Sequence, residues 1–246
     1  MPRQARQKSE SGIYHVMLRG INQQIIFEDE EDSTKFIETL KTYKAISEYK
    51  IFAYCLMSNH VHLLLQVGKE ELDIIFKRIA GSYVYWYNWK YYRRGHLFQD
   101  RFRSEPINDN AYFLTVLRYI HRNPIKAGNE INNYKFSSYN AYVNGGSEPV
   151  DIDFALSLMS KDEFIKFNNK ENSDVCLEID EQEFRLSDAD AKEVIQKVSK
   201  CKNANEIQQL ERKQRDKYLK EIREKGLSIR QISRLTGVSF SVIRKL

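Results

Sequence analysis

An α+β architecture with a separate helical tail is the fold class this chain predicts, and three features of its 246 residues predict it. Alternating apolar segments interleave with amphipathic helical ones in the order β-α-β-β-α-β, followed by a further helix; this is the split βαβ, ferredoxin-like plan of an antiparallel sheet with helices. From Ser187 onward the pattern is helical only. The charge also changes sign twice: residues 1–150 hold 20 Lys and Arg against 16 Asp and Glu, 151–200 hold 7 against 13, and 201–246 hold 12 against 5.

Each element has a local reason. In Ile13 to Gly20, Tyr14, Val16 and Leu18 fall on one face and His15, Met17 and Arg19 on the other, as a strand's period of two requires. Residues 31–48 put Phe36, Ile37, Leu40 and Tyr43 on one helical stripe. Two apolar strands, 50–57 and 61–67, are joined by Ser58-Asn59, a hairpin signal. A second helix over 70–92 carries the aromatic run Tyr83 to Trp89, which reads as core with a base-stacking face as its lesser use. Gly95-His96 opens a fourth strand that runs through Ile107, and Asn108-Asp109 caps a third helix extending to Asn123-Pro124.

Three regions follow: a domain over 1–145, an acidic connection over 146–186 with one helix at 160–169, and a helical domain over 187–246. In the last, Ser187-Asp188 caps one helix, Ala204 to Lys225 forms a longer one, and Gly226 stops it. Residues 228–246 have the grammar of a helix-turn-helix. Ile232, Leu235, Val238 and Ile243 supply a small core, Gly237 the turn and Ser239 the cap of the second helix.

Composition excludes several classes. A hydrophobic content of 41%, with 12% aromatic residues, supports a real core and rules out disorder throughout. Cys55, Cys176 and Cys201 are odd in number and far apart, fitting neither a disulfide framework nor a Cys-x-x-Cys zinc site. Without a leader pattern or an apolar run of the roughly 20 residues a bilayer needs, the expectation is a cytoplasmic, nucleoid-associated protein with no membrane partner. Basic ends around an acidic middle suit a polyanion, whose phosphates Lys and Arg neutralise with release of counterions.

The chemistry concentrates at His60 and His62. On a strand they share a face, opposite Val61, Leu63, Leu65 and Val67, so both imidazoles can meet one ion; two hydrogen-bonded core histidines are the bland alternative. Tyr119 and Asn123 are four apart on a helix and share its face. Should the two faces meet, two imidazoles and an amide oxygen make an incomplete site for Mg²⁺ or Mn²⁺, open to phosphate oxygens, beside a phenol nucleophile. A histidine-triad hydrolase is disfavoured because Leu64 holds the next alternate position. His15 shares a strand face with Arg19 and either orients a ligand or makes a core hydrogen bond, while His121, two residues from Tyr119, should point to solvent or DNA.

These residues, together with Tyr14-His15-Val16…Arg19-Gly20, Ser58-Asn59-His60-Val61-His62, Gly95 to Ser104, Arg118 to Pro124 and Phe136 to Tyr139, resemble the single-tyrosine HUH transposases, in particular the REP-associated tyrosine transposase branch. The resemblance covers roughly residues 1–145. It implies that His60 and His62 are metal ligands with Asn123 in the position of the third. It also implies that Tyr119 cuts single-stranded DNA, keeps a 5′-phosphotyrosine and leaves a free 3′-OH for rejoining. It further implies recognition of hairpin or repeat DNA, with Arg3 and Arg6 of the basic arm reading bases.

Arg19, Arg101, Arg103 and Arg118 are expected to contact phosphates, and Arg230, Ser239, Ser241 and Arg244 to place the helix-turn-helix on duplex DNA. The expectation is thus a metal-dependent DNA strand transferase, acting as a monomer or homodimer. A non-catalytic DNA-binding regulator derived from such an enzyme is the alternative.

Overall fold

The computed structural model describes residues 6–170, 174, 176, 177 and 188–246, and it is α+β. The chain divides into two units, 1–178 and 179–246. Strands β1 (Ile13–Arg19), β2 (Lys50–Met57), β3 (His60–Gln66) and β4 (Arg103–Ile107) form one antiparallel sheet in the order β2-β3-β1-β4. β1 and β3 are therefore interior strands, paired with Arg19 opposite His60 and Met17 opposite His62. β4 brings Glu105 opposite His15.

One sheet face builds a hydrophobic core. Tyr14, Val16, Leu18, Leu63 and Leu65 pack there against α1 (Glu30–Ser47) and α2 (Leu72–Lys90), around Phe36, Leu40, Phe76 and Tyr83. The start of α1 carries a reciprocal cap between Asp29 and Asp32, and Lys90 from the end of α2 binds both carboxylates, at 2.7 and 2.8 Å. The other face lies under α3 (Asn110–Lys126), where Phe113, Val116, Leu117 and Ile120 meet Phe52, Cys55 and Leu64. Three more helices, α4 (Tyr139–Asn144), α5 (Asp153–Leu158) and α6 (Lys161–Asn169), add Tyr139, Tyr142, Ala155 and Phe164 to this second core.

Helix α6 begins with a capping box between Ser160 and Glu163. It is drawn onto α3 by Arg122, whose guanidinium donates 2.6 Å to the Asn168 carbonyl.

The second unit holds α7 (Asp188–Ser199), a 3₁₀ turn at Ala204–Gln209, α8 (Arg212–Glu224), α9 (Ile229–Thr236) and α10 (Phe240–Arg244) around Ile195, Ile207, Leu219, Ile222, Ile232 and Ile243. Gly237 ends α9 at φ +72°, a left-handed conformation that favours glycine, and a Cβ there would displace the Gln208 amide.

Several local expectations change. The fourth strand begins at Arg103 rather than Gly95, because the backbone from Arg93 to Phe102 is spent on a loop in which Ile21 and Gln99 pair with Leu97 and Arg19. The helix expected over 204–225 is broken at Leu210 and Glu211, both extended, where Gln208 turns to cap the Thr236 carbonyl at 2.8 Å. Ser239 holds the first position of α10 but makes no capping bond; its hydroxyl meets Ser241 at 3.2 Å instead. Ser187, expected to begin α7, lies outside the described residues. Among the described residues no helix is long and apolar enough to cross a membrane.

Candidate active site

The sheet face under α3 carries His15, His60 and His62, with Glu105 across from His15 on β4. Strand alternation puts all three histidines on the side that α3 covers, and α3 places Tyr119 against His15 and His62, with the buried Asn123 one turn further along. The Tyr119 ring stands edge-on to His15 and His62, with centroids 5.8 and 5.6 Å away, and His60 and His62 lie 5.1 Å apart at 88°. The two motifs, 57 residues apart in sequence, thus meet at one point. His15, His62, Tyr119 and Asn123 are all at most 4% exposed, while His60 is partly open.

Hydrogen bonds fix the rings. Asn59 Oδ1 lies 2.7 Å from His60 Nδ1; a carboxamide oxygen only accepts, so His60 carries its proton on Nδ1 and presents the Nε2 lone pair. His62 Nδ1 lies 2.9 Å from His15 Nε2, and His15 Nδ1 lies 2.7 Å from Glu105 Oε1. Asn123 donates its amide nitrogen 3.0 Å to the Tyr119 carbonyl one turn back, which leaves its side-chain oxygen as the atom for a ligand.

Burial above all, with the neighbouring imidazoles and the Lys126 ammonium adding to it, holds the His62 imidazole well below its ordinary value, so it is neutral and able to ligate. At Glu105 burial, the largest single influence, would raise the carboxyl, but its interactions with His15 together with hydrogen bonds from the Leu177 N–H and Tyr112 outweigh it, and the group stays below its ordinary value.

Lys126 was not singled out in the sequence. Its ammonium lies 4.5 Å from the centre of the Tyr119 ring and donates 3.5 Å to the phenol oxygen. The signal was available: residues 119, 123 and 126 are spaced i, i+4, i+7 on one helical stripe.

A divalent cation fits this donor set. Among the described residues no group of three or more His, Cys, Asp or Glu side chains is placed to hold a metal ion by itself, so a closed structural zinc site is absent there. Two imidazoles and a carboxamide oxygen hold an ion incompletely, which suits a site that also takes substrate oxygens.

The basic residues divide. Arg101 and Arg103 are exposed, Arg103 on β4 beside Met17. Arg19 is half-buried at the end of β1, opposite His60. Arg118 is committed elsewhere: its guanidinium is held in two parallel bonds by Asp174, at 2.7 and 2.8 Å, and stacks 3.9 Å over Phe167. Arg6 is tied to Asp73 and stacks on Phe102, whereas Arg3 lies outside the described residues. Arg230, Ser239, Ser241 and Arg244 are exposed on α9 and α10.

His121 does not reach solvent. It is fully buried, edge-on to Tyr139, Tyr142 and Phe164 and bonded to Ser138 Oγ at 2.8 Å, because α4 and α6 cover a side of α3 that a one-faced helix would have left open. Gly20, beside Arg19, passes so near the following turn that a Cβ would lie 2.2 Å from the Gln24 carbonyl.

Residues 8–123 match the model of the IS200-like transposase family, a span that includes both histidines, Tyr119 and Asn123. No curated protein matches the chain. Among solved structures it is similar to a REP-associated tyrosine transposase bound to a REP hairpin, at 17% identity and a TM-score of 0.52, over 62% of this chain and 93% of that one. It is also similar to a candidate transposase from Deinococcus radiodurans R1, at 16% identity and a TM-score of 0.35, over 49% of this chain and 97% of that one.

Proposed function

We propose, from an N-terminal unit whose residues 8–123 form a domain of the IS200-like transposase family, that this chain cuts and rejoins single-stranded DNA at hairpin-bearing repeats through a covalent bond to Tyr119. The observation that carries the reading is the Tyr119 ring at 5.6 Å from His62, with Asn123 beside it on one helical stripe.

In the proposed reaction the Tyr119 phenol oxygen attacks a backbone phosphorus. The bond from phosphorus to the 3′ oxygen breaks, that oxygen takes up a proton and leaves as a 3′-OH, and the 5′ phosphate stays on the tyrosine. The phosphotyrosine is a phosphodiester like the one broken, so a 3′-OH can reverse the step without a nucleotide cofactor. Lys126 stands where its positive charge stabilises negative charge on the phenol oxygen as the phenol loses its proton. His60, His62 and the Asn123 oxygen would hold Mg²⁺ or Mn²⁺. Such an ion, when bound, polarises the phosphate and offsets its developing charge.

Arg101 and Arg103 serve as backbone contacts, a sequence-independent role that exposed arginines fill. In the second unit, α9, the Gly237 turn and α10 act as a helix-turn-helix, with Arg230, Ser239, Ser241 and Arg244 toward duplex DNA.

The test is incubation of the protein with labelled single-stranded hairpins and Mg²⁺ or Mn²⁺. An SDS-resistant adduct that disappears in Tyr119→Phe is expected. Binding without any adduct, across hairpins and metals, would instead mark a non-catalytic regulator.

A further inference from the structure

We infer that Glu105 and His15 form a buried relay that locks His62 in its Nδ1–H tautomer and so aims the His62 Nε2 lone pair at the cation, which makes His15 and Glu105 positioning residues of the site. This inference rests on the metal-dependent reading above and adds to it two residues outside the ligand set.

The relay begins at Glu105. Its Oε1 accepts from the Leu177 backbone N–H at 3.1 Å and lies 2.7 Å from His15 Nδ1. A carboxylate can only accept, so His15 carries its proton on Nδ1. The other nitrogen of a neutral imidazole is then an acceptor. His15 Nε2, 2.9 Å from His62 Nδ1, must receive a proton from it, and His62 is left with a bare Nε2.

The sheet register sets this up. Glu105 is directly across from His15 in the β1–β4 pair, and His62 is the diagonal neighbour of His15 in the β1–β3 pair, since His15 faces Leu64. Three interior or edge strands each contribute one member. His15 is completely buried, which keeps water from competing for either ring nitrogen. A ligating imidazole whose far nitrogen is so held keeps its orientation and gains basicity, an effect worth about 10- to 100-fold in metal affinity.

The experiment uses the full chain. Long-range proton–nitrogen correlation spectra of the metal-free protein should show His62 as the Nδ1–H tautomer, and a predominant Nε2–H form would overturn the inference. Mn²⁺ titration should then show affinity falling about 10- to 100-fold in His15→Leu. It should stay near wild type in His15→Gln, whose amide can both accept from His62 and donate to Glu105; equal losses in the two variants, or none in either, would overturn it. Should His15→Leu fail to fold, Glu105→Gln is read in its place, with a mixed His62 tautomer expected and an unchanged spectrum contradicting the relay. Wild-type protein that shows the Nδ1–H tautomer yet binds no Mn²⁺ would sink the metal-dependent reading while leaving the relay standing.

Discussion

The two faces of the sheet are built from the same four strands and spend them differently. Toward α1 and α2, Val16, Leu18, Leu63 and Leu65 are at most 3% exposed and belong to one hydrophobic cluster. Toward α3, His15 and His62 are equally buried yet meet one another, Glu105 and Tyr119. Alternation along β1 and β3 puts these two environments within one residue of each other, so a single strand carries stability on its odd or even set and chemistry on the other. Buried polar groups are costly unless partnered, and the partnered chain from Glu105 to His62 is what makes such a face tolerable.

Substitutions should separate the faces. The largest effect belongs to Tyr119→Phe: adduct formation on hairpin DNA is expected to vanish while unfolding free energy changes by less than about 1 kcal/mol. An active Tyr119→Phe would break the assignment of chemistry to this face. Next, Leu63→Ala on the opposite face should cost about 2–5 kcal/mol in denaturant unfolding, with adduct formation preserved below the new melting temperature. If Leu63→Ala abolished the adduct in protein that is still folded, the two faces would not be functionally distinct.

Lys126→Met should slow adduct formation about tenfold or more, since a positioned charge next to a developing anion is worth a few kcal/mol at most, and should leave hairpin affinity nearly unchanged. A matching loss of affinity would recast Lys126 as a DNA contact.

A smaller effect concerns pH. Burial pushes the His121 imidazole down from 6.5 to about 3, so between those values the unfolded chain binds a proton that the native state does not. Stability contributed by the neutral ring is therefore present above about pH 6.5 and is lost as pH falls toward 3, at about 1.4 kcal/mol per pH unit. The slope should lessen by that amount in His121→Gln, as measured by denaturant unfolding from pH 7 to 5. An identical slope would place the titration elsewhere.

The smallest effect lies in the second unit. Gly237→Ala forces a side chain into a left-handed turn and against Gln208, and should weaken duplex binding without touching adduct formation on single strands. Loss of single-strand cutting in that variant would break the division of labour between the two units.

What the residues alone disclosed follows the same division. The hydrophobic alternation of β1 and β3, the hairpin at Ser58-Asn59 and the pairing of Tyr119 with Asn123 are local patterns, and local spacing is enough to read them. The link from His15 to Glu105 is not local. It depends on which strands neighbour β1 and in what register, and the partners lie 90 positions apart in sequence. Arg118 illustrates the opposite case, a cation that reads as a phosphate contact until Phe167 of α6 and Asp174 beyond it occupy the guanidinium. His121 was misplaced for a related reason: an amphipathic helix implies one covered side, and α4 and α6 supply a second. Helices α4 and α5, six residues each, are too short for a periodic pattern to stand out.

The most direct measurement is mass spectrometry of the proteolysed protein after reaction with a hairpin-bearing single strand and Mn²⁺. The account expects a nucleotide joined through its 5′ phosphate to the peptide that contains Tyr119, with a free 3′-OH on the released strand. A nucleotide on any other residue, or cleavage with no covalent peptide at all, would contradict it.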